Sequence, residues 1–388
     1  MFADLIEGLL SDLGRKNGWT MAERAAHATP HRIQKFLGEA AWEAEELLVE
    51  VQDYIVAELG DEQATLVLDD TQVIKKGTRS VGVAHQHCGS TGDVRNCQVM
   101  VMLTYAAEDG HTFCDRRLYL PAAWADDDQR RRDAGVPEEI GFATKPQLGV
   151  QMLARALQRG TPFAWVAADA DYGKDPGLRA FCHQAALPYA LAVPVTFPLA
   201  GPPGKPRQPA VTQAGDLLHY ASTRGEWERR SQGEGSKGQR YYDWTWFAVD
   251  LPGRSPADGF AHNLLIRRST QPKQLAGGRV DFEYAYFLIH APHDTPLVEA
   301  VRRAGVRWKI EENNETGKQT VGLGQYQVRR WDSWHRHITC AILALAFLTV
   351  QRAQHREPGA QPPPEQSAEP GDDTAGKAPP HQEGSACH

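Results

Sequence analysis

Cysteine is scarce in this chain of 388 residues, and what there is carries no pattern. Cys88, Cys97, Cys114, Cys182, Cys340 and Cys387 fall without paired spacing, which excludes a disulfide-stapled scaffold and fits a reducing compartment. Long hydrophobic runs are missing too. The most apolar stretch, Ile338 to Val350, is too short to cross a bilayer and reads as a buried helix, so no membrane partner is expected. The opening Met1-Phe-Ala-Asp-Leu5 is acidic where a secretory leader would be basic, and a cytoplasmic location is expected. There are no internal repeats. Nor is there an excess of positive charge: the formal net charge is −7, which at first argues against a nucleic-acid partner. Much of that charge is local, however. Six acids against Lys377 between Glu357 and His388 account for −5, leaving −2 for everything before them. A near-neutral body with clustered cations can still bind DNA, because clustering sets the local field.

What the chain does have is a set of three placed carboxylates. Asp69 follows the apolar run of Thr65-Leu-Val-Leu68, and Asp169 follows Ala164-Trp-Val-Ala-Ala168. Each reads as a buried strand delivering an acid to the edge of a sheet. Glu311 sits differently: Arg303, Arg307, Glu311 and Lys318 recur at helical spacing, so a charged helix face would present it. Two strand-end aspartates and a helical glutamate make a hard, all-oxygen donor set for a pair of Mg²⁺ ions, with Mn²⁺ as substitute. Such a pair stabilises the attacking and leaving oxygens of a phosphoryl displacement, which points to DNA or RNA strand chemistry. The plainer reading is that each aspartate only caps a turn and that Glu311 is a solvated helix residue.

With 41% apolar residues the chain can fill a sizeable core, and it divides into five stretches. Residues 1–60 read as helices. Thr20 would cap a short one, His27-Ala-Thr29 turn, and Pro30 open the next, a helix-turn-helix pattern. Arg32, Gln34 and Lys35 on its second helix suit phosphates and base edges, although the stretch also reads as an ordinary helical cap. Residues 61–195 alternate as sequential strands followed by helix, strand, helix, strand. With the acids on two of those strands, this fits a ribonuclease-H-like mixed α/β sheet flanked by helices. Residues 196–281 are β-rich, with Tyr242, Trp244 and Trp246 in period-two alternation. Residues 282–356 return to the core and carry the glutamate helix, and 357–388 read as a disordered acidic tail. Lys75, Lys76, Arg307, Arg329, Arg330, Arg336 and His337 lie near the acids in sequence, as cations that clamp a phosphate backbone would. His85, His87 and Cys88 lack a second ligand pair at zinc spacing and read as strand and loop residues.

Several words resemble bacterial insertion-sequence transposases of the DDE class, in the branch with a β-rich insertion before the glutamate. They include Lys16-Asn-Gly-Trp19, Asp69-Asp-Thr71, Lys75-Lys-Gly-Thr-Arg-Ser-Val-Gly-Val83, Phe142-Ala-Thr-Lys145, Asp169-Ala-Asp-Tyr-Gly173, Arg307-Trp-Lys-Ile-Glu311 and Val328-Arg-Arg-Trp331. Together they span the chain to about Val350. The resemblance implies Asp69, Asp169 and Glu311 as the catalytic, metal-holding triad, with Arg307 and Lys318 contacting DNA. It implies binding to double-stranded transposon ends, cleavage, strand transfer into target DNA, and a homodimer when DNA is bound. An aromatic of the insertion would hold a flipped base, for which Trp227, Trp244 and Trp246 are the candidates. The family's tyrosine before the arginine is replaced by Ala304, and a phenylalanine after the glutamate by Asn314. Two other functions share this constellation: a DNA-binding factor that has lost mobility, and a stand-alone Mg²⁺ nuclease.

Overall fold

The computed structural model describes residues 1–89, 91–200, 211–224, 226–235, 238–274 and 277–355. The expected acidic tail at 357–388 lies outside them. Four helices come first: α1 (Phe2–Leu10), α2 (Gly18–Arg24), α3 (His31–Gly38) and α4 (Ala44–Leu59). The cap of α2 is Asn17, not Thr20. Asn17 Oδ1 accepts from the amides of Trp19 and Thr20, while the Thr20 hydroxyl sits at the third helical position and accepts from the Asn17 amide. Pro30 likewise stands just before α3 and not within it.

Next come β1 (Thr65–Ile74), β2 (Ala84–Cys88), β3 (Asp93–Ala106) and β4 (His111–Leu118). The short helices α5 (Ala122–Ala125) and α6 (Asp128–Ala134) lead to α7 (Lys145–Gln158), which Thr144 and Gln147 start with reciprocal capping bonds. The chain continues through β5 (Trp165–Ala168), α8 (Ala170–Gly173), α9 (Pro176–Gln184) and β6 (Tyr189–Val193). β1 pairs antiparallel with β3 and β3 with β4, while β5 runs parallel to β1 and β6 parallel to β5. The order β4-β3-β1-β5-β6 is that of a ribonuclease-H-like sheet. Leu66, Val67 and Leu68 are all fully buried, because α7 covers one face of β1 while the later helices Leu297–Val306 and Trp308–Thr320 cover the other.

The β-rich stretch then adds to this sheet. After α10 (Leu217–Arg224) come β7 (Glu228–Gly235), β8 (Gly238–Ala248), β9 (Phe260–Ser269), a two-stranded ribbon of β10 (Lys273–Gln274) and β11 (Val280–Asp281), and β12 (Tyr284–Pro292). β12 pairs antiparallel with β6, and β9, β8 and β7 follow outward from it. Helices α11 (Leu297–Val306), α12 (Trp308–Thr320) and α13 (Trp331–Gln354) close the chain. The apolar run expected as a buried helix is the middle of α13, against α4 and β4, and among the described residues no helix is long and apolar enough to cross a membrane.

Candidate active site

β1 and β5 bring the two aspartates together by register. Leu68 faces Ala168 across the parallel pair, so the residues that follow, Asp69 and Asp169, lie side by side. Asp69 is mid-strand, because β1 runs on to Ile74 beside β3, while Asp169 ends its strand as expected. Asp169 also caps α8: its Oδ1 accepts from the amides of Asp171 and Tyr172. Capping uses one oxygen only. Asp69 Oδ1 accepts from the Asp70 amide at 2.7 Å, and the second oxygen of each acid takes no hydrogen bond among the described residues. Gly173 ends the turn because a Cβ there would overlap the carbonyl of Ala192 on β6, so α8 lies directly on the sheet and fixes Asp169.

The electrostatics of the pair are unfavourable without a cation. Burial, then the neighbouring Asp169 and Asp70 charges, push the Asp69 carboxyl up to about 8. Asp169 is raised by burial, with Asp171 and Asp70 adding to the effect and the Tyr172 amide opposing it. Asp70 is spared this role. It points to the other side of β1, where Lys145 Nζ lies 3.0 Å from both of its oxygens and the Gln72 amide donates at 2.7 Å.

Glu311 stands in the first turn of α12, which packs on β1. Arg307 stands at the junction of α11 and α12, and its Nη2 is 2.6 Å from Glu311 Oε1. The same guanidinium lies in the field of Asp69, so Arg307 links the glutamate to that aspartate. Two further cations, not singled out in the sequence, come from the sheet extension. Arg240 on β8 stacks 4.8 Å over the Trp308 ring and lies in the fields of Glu312, Glu311 and Arg307, and Arg267 on β9 neighbours Arg307 and Arg240. Trp308, one turn before Glu311, is more than a third exposed. Only the word Arg307-Trp-Lys-Ile-Glu311 pointed to that indole.

Other expected residues land elsewhere. Trp244 is fully buried against Trp165, Leu265, Phe287 and Ala304, and its Nε1 donates to the Arg230 carbonyl, so it offers no ring face to a base. Trp246 is half-buried against the same cluster. Ala304 stands where a tyrosine was expected, at 1% exposure, because α11 presses on that cluster. Arg303 is also buried, bonded to Glu299, Thr65 and the Gln63 carbonyl, and Arg336 holds the carbonyls of Leu37 and Trp42. Neither is a phosphate clamp, and His337 is buried too. Lys318 is half-buried near Gly324, two turns beyond Glu311.

A cavity of about 910 Å³ opens between the N-terminal helices and the core. Lys75, Lys76, Arg79, Arg329, Arg330 and Gln34 line it. Burial pulls the Lys75 ammonium down to about 8, and it rests 3.5 Å over the Tyr326 ring. Lys76, Arg79, Arg329 and Arg330 are exposed. Arg32 and Lys35 are exposed on α3 but do not line the cavity.

A ribonuclease-H-like sheet with paired carboxylates on adjacent parallel strands defines a class of metal-dependent nucleases, and the sequence agrees. Residues 1–249 match the family model for DDE superfamily endonucleases, and the chain belongs to that family. The match takes in Asp69 and Asp169 and stops short of Glu311. The chain is also 26% identical over 174 residues to a probable transposase for insertion sequence element IS701 from Microchaete diplosiphon. That similarity covers 45% of this chain and 43% of the relative, less than half the length of either.

Proposed function

We propose that the chain is a DNA transposase that binds the double-stranded ends of its element, cuts them and transfers the freed strand to target DNA. The observation that carries this reading is the pair of Asp69 and Asp169 side by side on adjacent parallel strands, with Arg307 in the field of Asp69 and ion-paired to Glu311. The donor chemistry fits divalent cations: burial and neighbouring carboxylates raise the proton affinity of both aspartates, and among the described residues neither forms an ion pair with a lysine or arginine. Asp69, Asp169 and Glu311 would hold two Mg²⁺, or Mn²⁺ in their place. Bound there, the metals would stabilise the charge that develops on the attacking and leaving oxygens of the scissile phosphate.

The remaining work falls to the chain's own groups. Arg307 holds Glu311 in one orientation and meets negative charge next to the acids. Lys145 pairs with Asp70, so that aspartate stays out of the donor set. Arg240 and Arg267 offer further cations for the DNA backbone, and Trp308 a flat exposed face beside Glu311. The cavity under α2 and α3 would take phosphates farther along the duplex, so residues 1–60 serve in DNA binding and Gln34 faces the groove. Joining two ends requires two copies of the chain, hence a homodimer on DNA.

The test is cleavage of linear DNA carrying the inverted repeats that flank the coding region. Wild type should cut at the repeat boundary with Mg²⁺ or Mn²⁺, while Asp69→Asn, Asp169→Asn and Glu311→Gln should bind the same DNA and not cut. Cleavage that survives in Glu311→Gln would remove the third acid from the assignment. Cutting without strand joining would favour the stand-alone nuclease.

A further inference from the structure

A second group of possible ligands lies away from the acids, where the core sheet passes into its extension. Strands β6, β12 and β9 are neighbours, and their register sets Tyr189 opposite His290 and His290 opposite His262. Directly opposed residues point to the same face, so one row carries a phenol and two imidazoles. α9 lays His183 over that row. Its Nε2 lies 3.2 Å from His262 Nε2 and 3.1 Å from the Tyr189 hydroxyl, and its ring stacks on His290 with centroids 4.1 Å apart. His290 is fully buried and His262 is 3% exposed. Among the described residues, these three histidines form the one group whose ligand atoms all lie within metal-sharing range, 4.8 Å of one another.

Plain packing explains the stack poorly at two atoms. His183 and His262 present Nε2 to Nε2, an arrangement in which only one of the two can donate. Meanwhile His262 Nδ1 is buried and bonds to nothing among the described residues. Buried polar nitrogens are normally satisfied. Two nitrogens bound to one tetrahedral cation at about 2.0–2.1 Å stand a little over 3 Å apart, so the observed spacing is close to that of a shared ion. His290 has its outer partner in place: Nδ1 lies 3.4 Å from the Leu187 carbonyl, which would fix the tautomer that frees Nε2. That Nε2 now accepts from the Ala257 amide at 3.2 Å, a bond the loop before β9 would yield on ligation.

We propose that His183, His262 and His290 form a transition-metal site, selective for Zn²⁺ over Mg²⁺, that ties α9 to the β6–β12–β9 junction. Three neutral nitrogens and no carboxylate make a donor set for zinc, whereas the acid site is all oxygen, so the two sites take different metals. The phenol of Tyr189, 3.1 Å from His183 Nε2, stands beside the three nitrogens as a fourth donor or as a hydrogen-bond partner. The site does not depend on the transposase reading.

The test uses the full chain carrying Asp69→Asn and Asp169→Asn, so that the acids do not compete for ions. Zn²⁺ is titrated against a chromophoric chelator, and Co²⁺ is added separately to read coordination from its visible spectrum. One equivalent of Zn²⁺, a tetrahedral Co²⁺ spectrum and a Zn²⁺-dependent rise in melting temperature are expected. His262→Gln should weaken binding by more than the roughly 10–100-fold typical of losing an outer-sphere partner. No Zn²⁺ bound by a folded chain, or full affinity retained in His183→Gln/His262→Gln, overturns the proposal. If the variants fail to fold, the Co²⁺ spectrum of the parent decides alone: an octahedral, oxygen-type spectrum overturns it.

Discussion

Arg307 Nη2 and Glu311 Oε1 stand 2.6 Å apart, one helical turn from each other, and the same guanidinium lies in the field of Asp69. The pair is partly exposed, so its direct share of folding stability is small, roughly 0–1 kcal/mol. Its importance lies in orientation. Arg307→Gln should leave the melting temperature within about 2 °C, yet slow single-turnover cleavage at saturating metal by about 10- to 100-fold. Unchanged cleavage would reduce Arg307 to a helix-surface ion pair.

Asp69 opposes folding in the metal-free protein. Its carboxyl ionises near 3.8 in the unfolded chain and only at about 8 in the folded one. The folded state therefore binds the extra proton between those values, and stability falls as pH rises through that window. Asp69→Asn removes this cost. At neutral pH without metal it should be more stable by roughly 1–2 kcal/mol, after discounting for partial solvent access, while losing all cleavage. The advantage should vanish below pH 4. A denaturant titration at pH 7.5 and pH 3.8 checks both halves, and a destabilised variant at pH 7.5 would show that the carboxylate is paired in the fold.

Buried histidines act with the opposite sign. Burial, followed by nearby Arg116, pushes His335 down to about 3, and burial pushes His337 down to about 4. Each is neutral in the fold and takes a proton at about 6.5 when unfolded, so the unfolded state binds more protons between those values. Their contribution is complete above pH 6.5 and is lost as pH falls, by up to about 1.4 kcal/mol per pH unit for each. His335→Gln/His337→Gln should flatten the stability profile between pH 6.5 and pH 4. An unchanged slope in that range would assign acid sensitivity to other groups.

The parts of the site that are local in sequence were legible in it. The runs before Asp69 and Asp169 read as strands because both faces of β1 and β5 are covered, and Glu311 read as helical from its charge spacing. The β8 tryptophans were not legible. Alternation identifies a strand but not which face a distant element will cover, and α11, some fifty residues later, buries Trp244. Arg240 and Arg267 were missed for the same reason: only sheet pairing across β8, β9 and β12 carries them to Arg307. Arg303 and Arg336 looked like free cations because sequence does not show which carbonyls a folded chain leaves unpaired.

That difference between the tryptophans gives a separable pair of outcomes. Trp244→Ala empties a fully packed position and should cost about 3–5 kcal/mol, with DNA affinity changing only as far as folding does. Trp308→Ala should leave stability nearly unchanged and weaken binding of the element end by about 1–3 kcal/mol if a base stacks there. Equal affinities for wild type and Trp308→Ala would leave Arg240 as the only partner of that ring.

The basic cavity sets a distance. Lys75, the residue after β1, follows Asp69 by six positions, about 20 Å at the usual strand rise of ~3.3 Å. On B-form DNA that is about six base pairs from the scissile phosphate, at ~3.4 Å each. A duplex running from the acids into the cavity would meet Arg79, Arg329 and Arg330 there, and Gln34 on the facing helix. Arg79→Ala and Arg329→Ala should weaken binding to every sequence alike, and each should reduce the slope of log K against log salt by about 0.9. Gln34→Ala should instead narrow the gap between the element end and random DNA, with the slope unchanged. Arg32 and Lys35 supply the contrast, since they are exposed on α3 outside the cavity. If their alanine variants flatten the slope while those of Arg79 and Arg329 do not, the duplex lies on the outer face of α3 and the cavity is not its path.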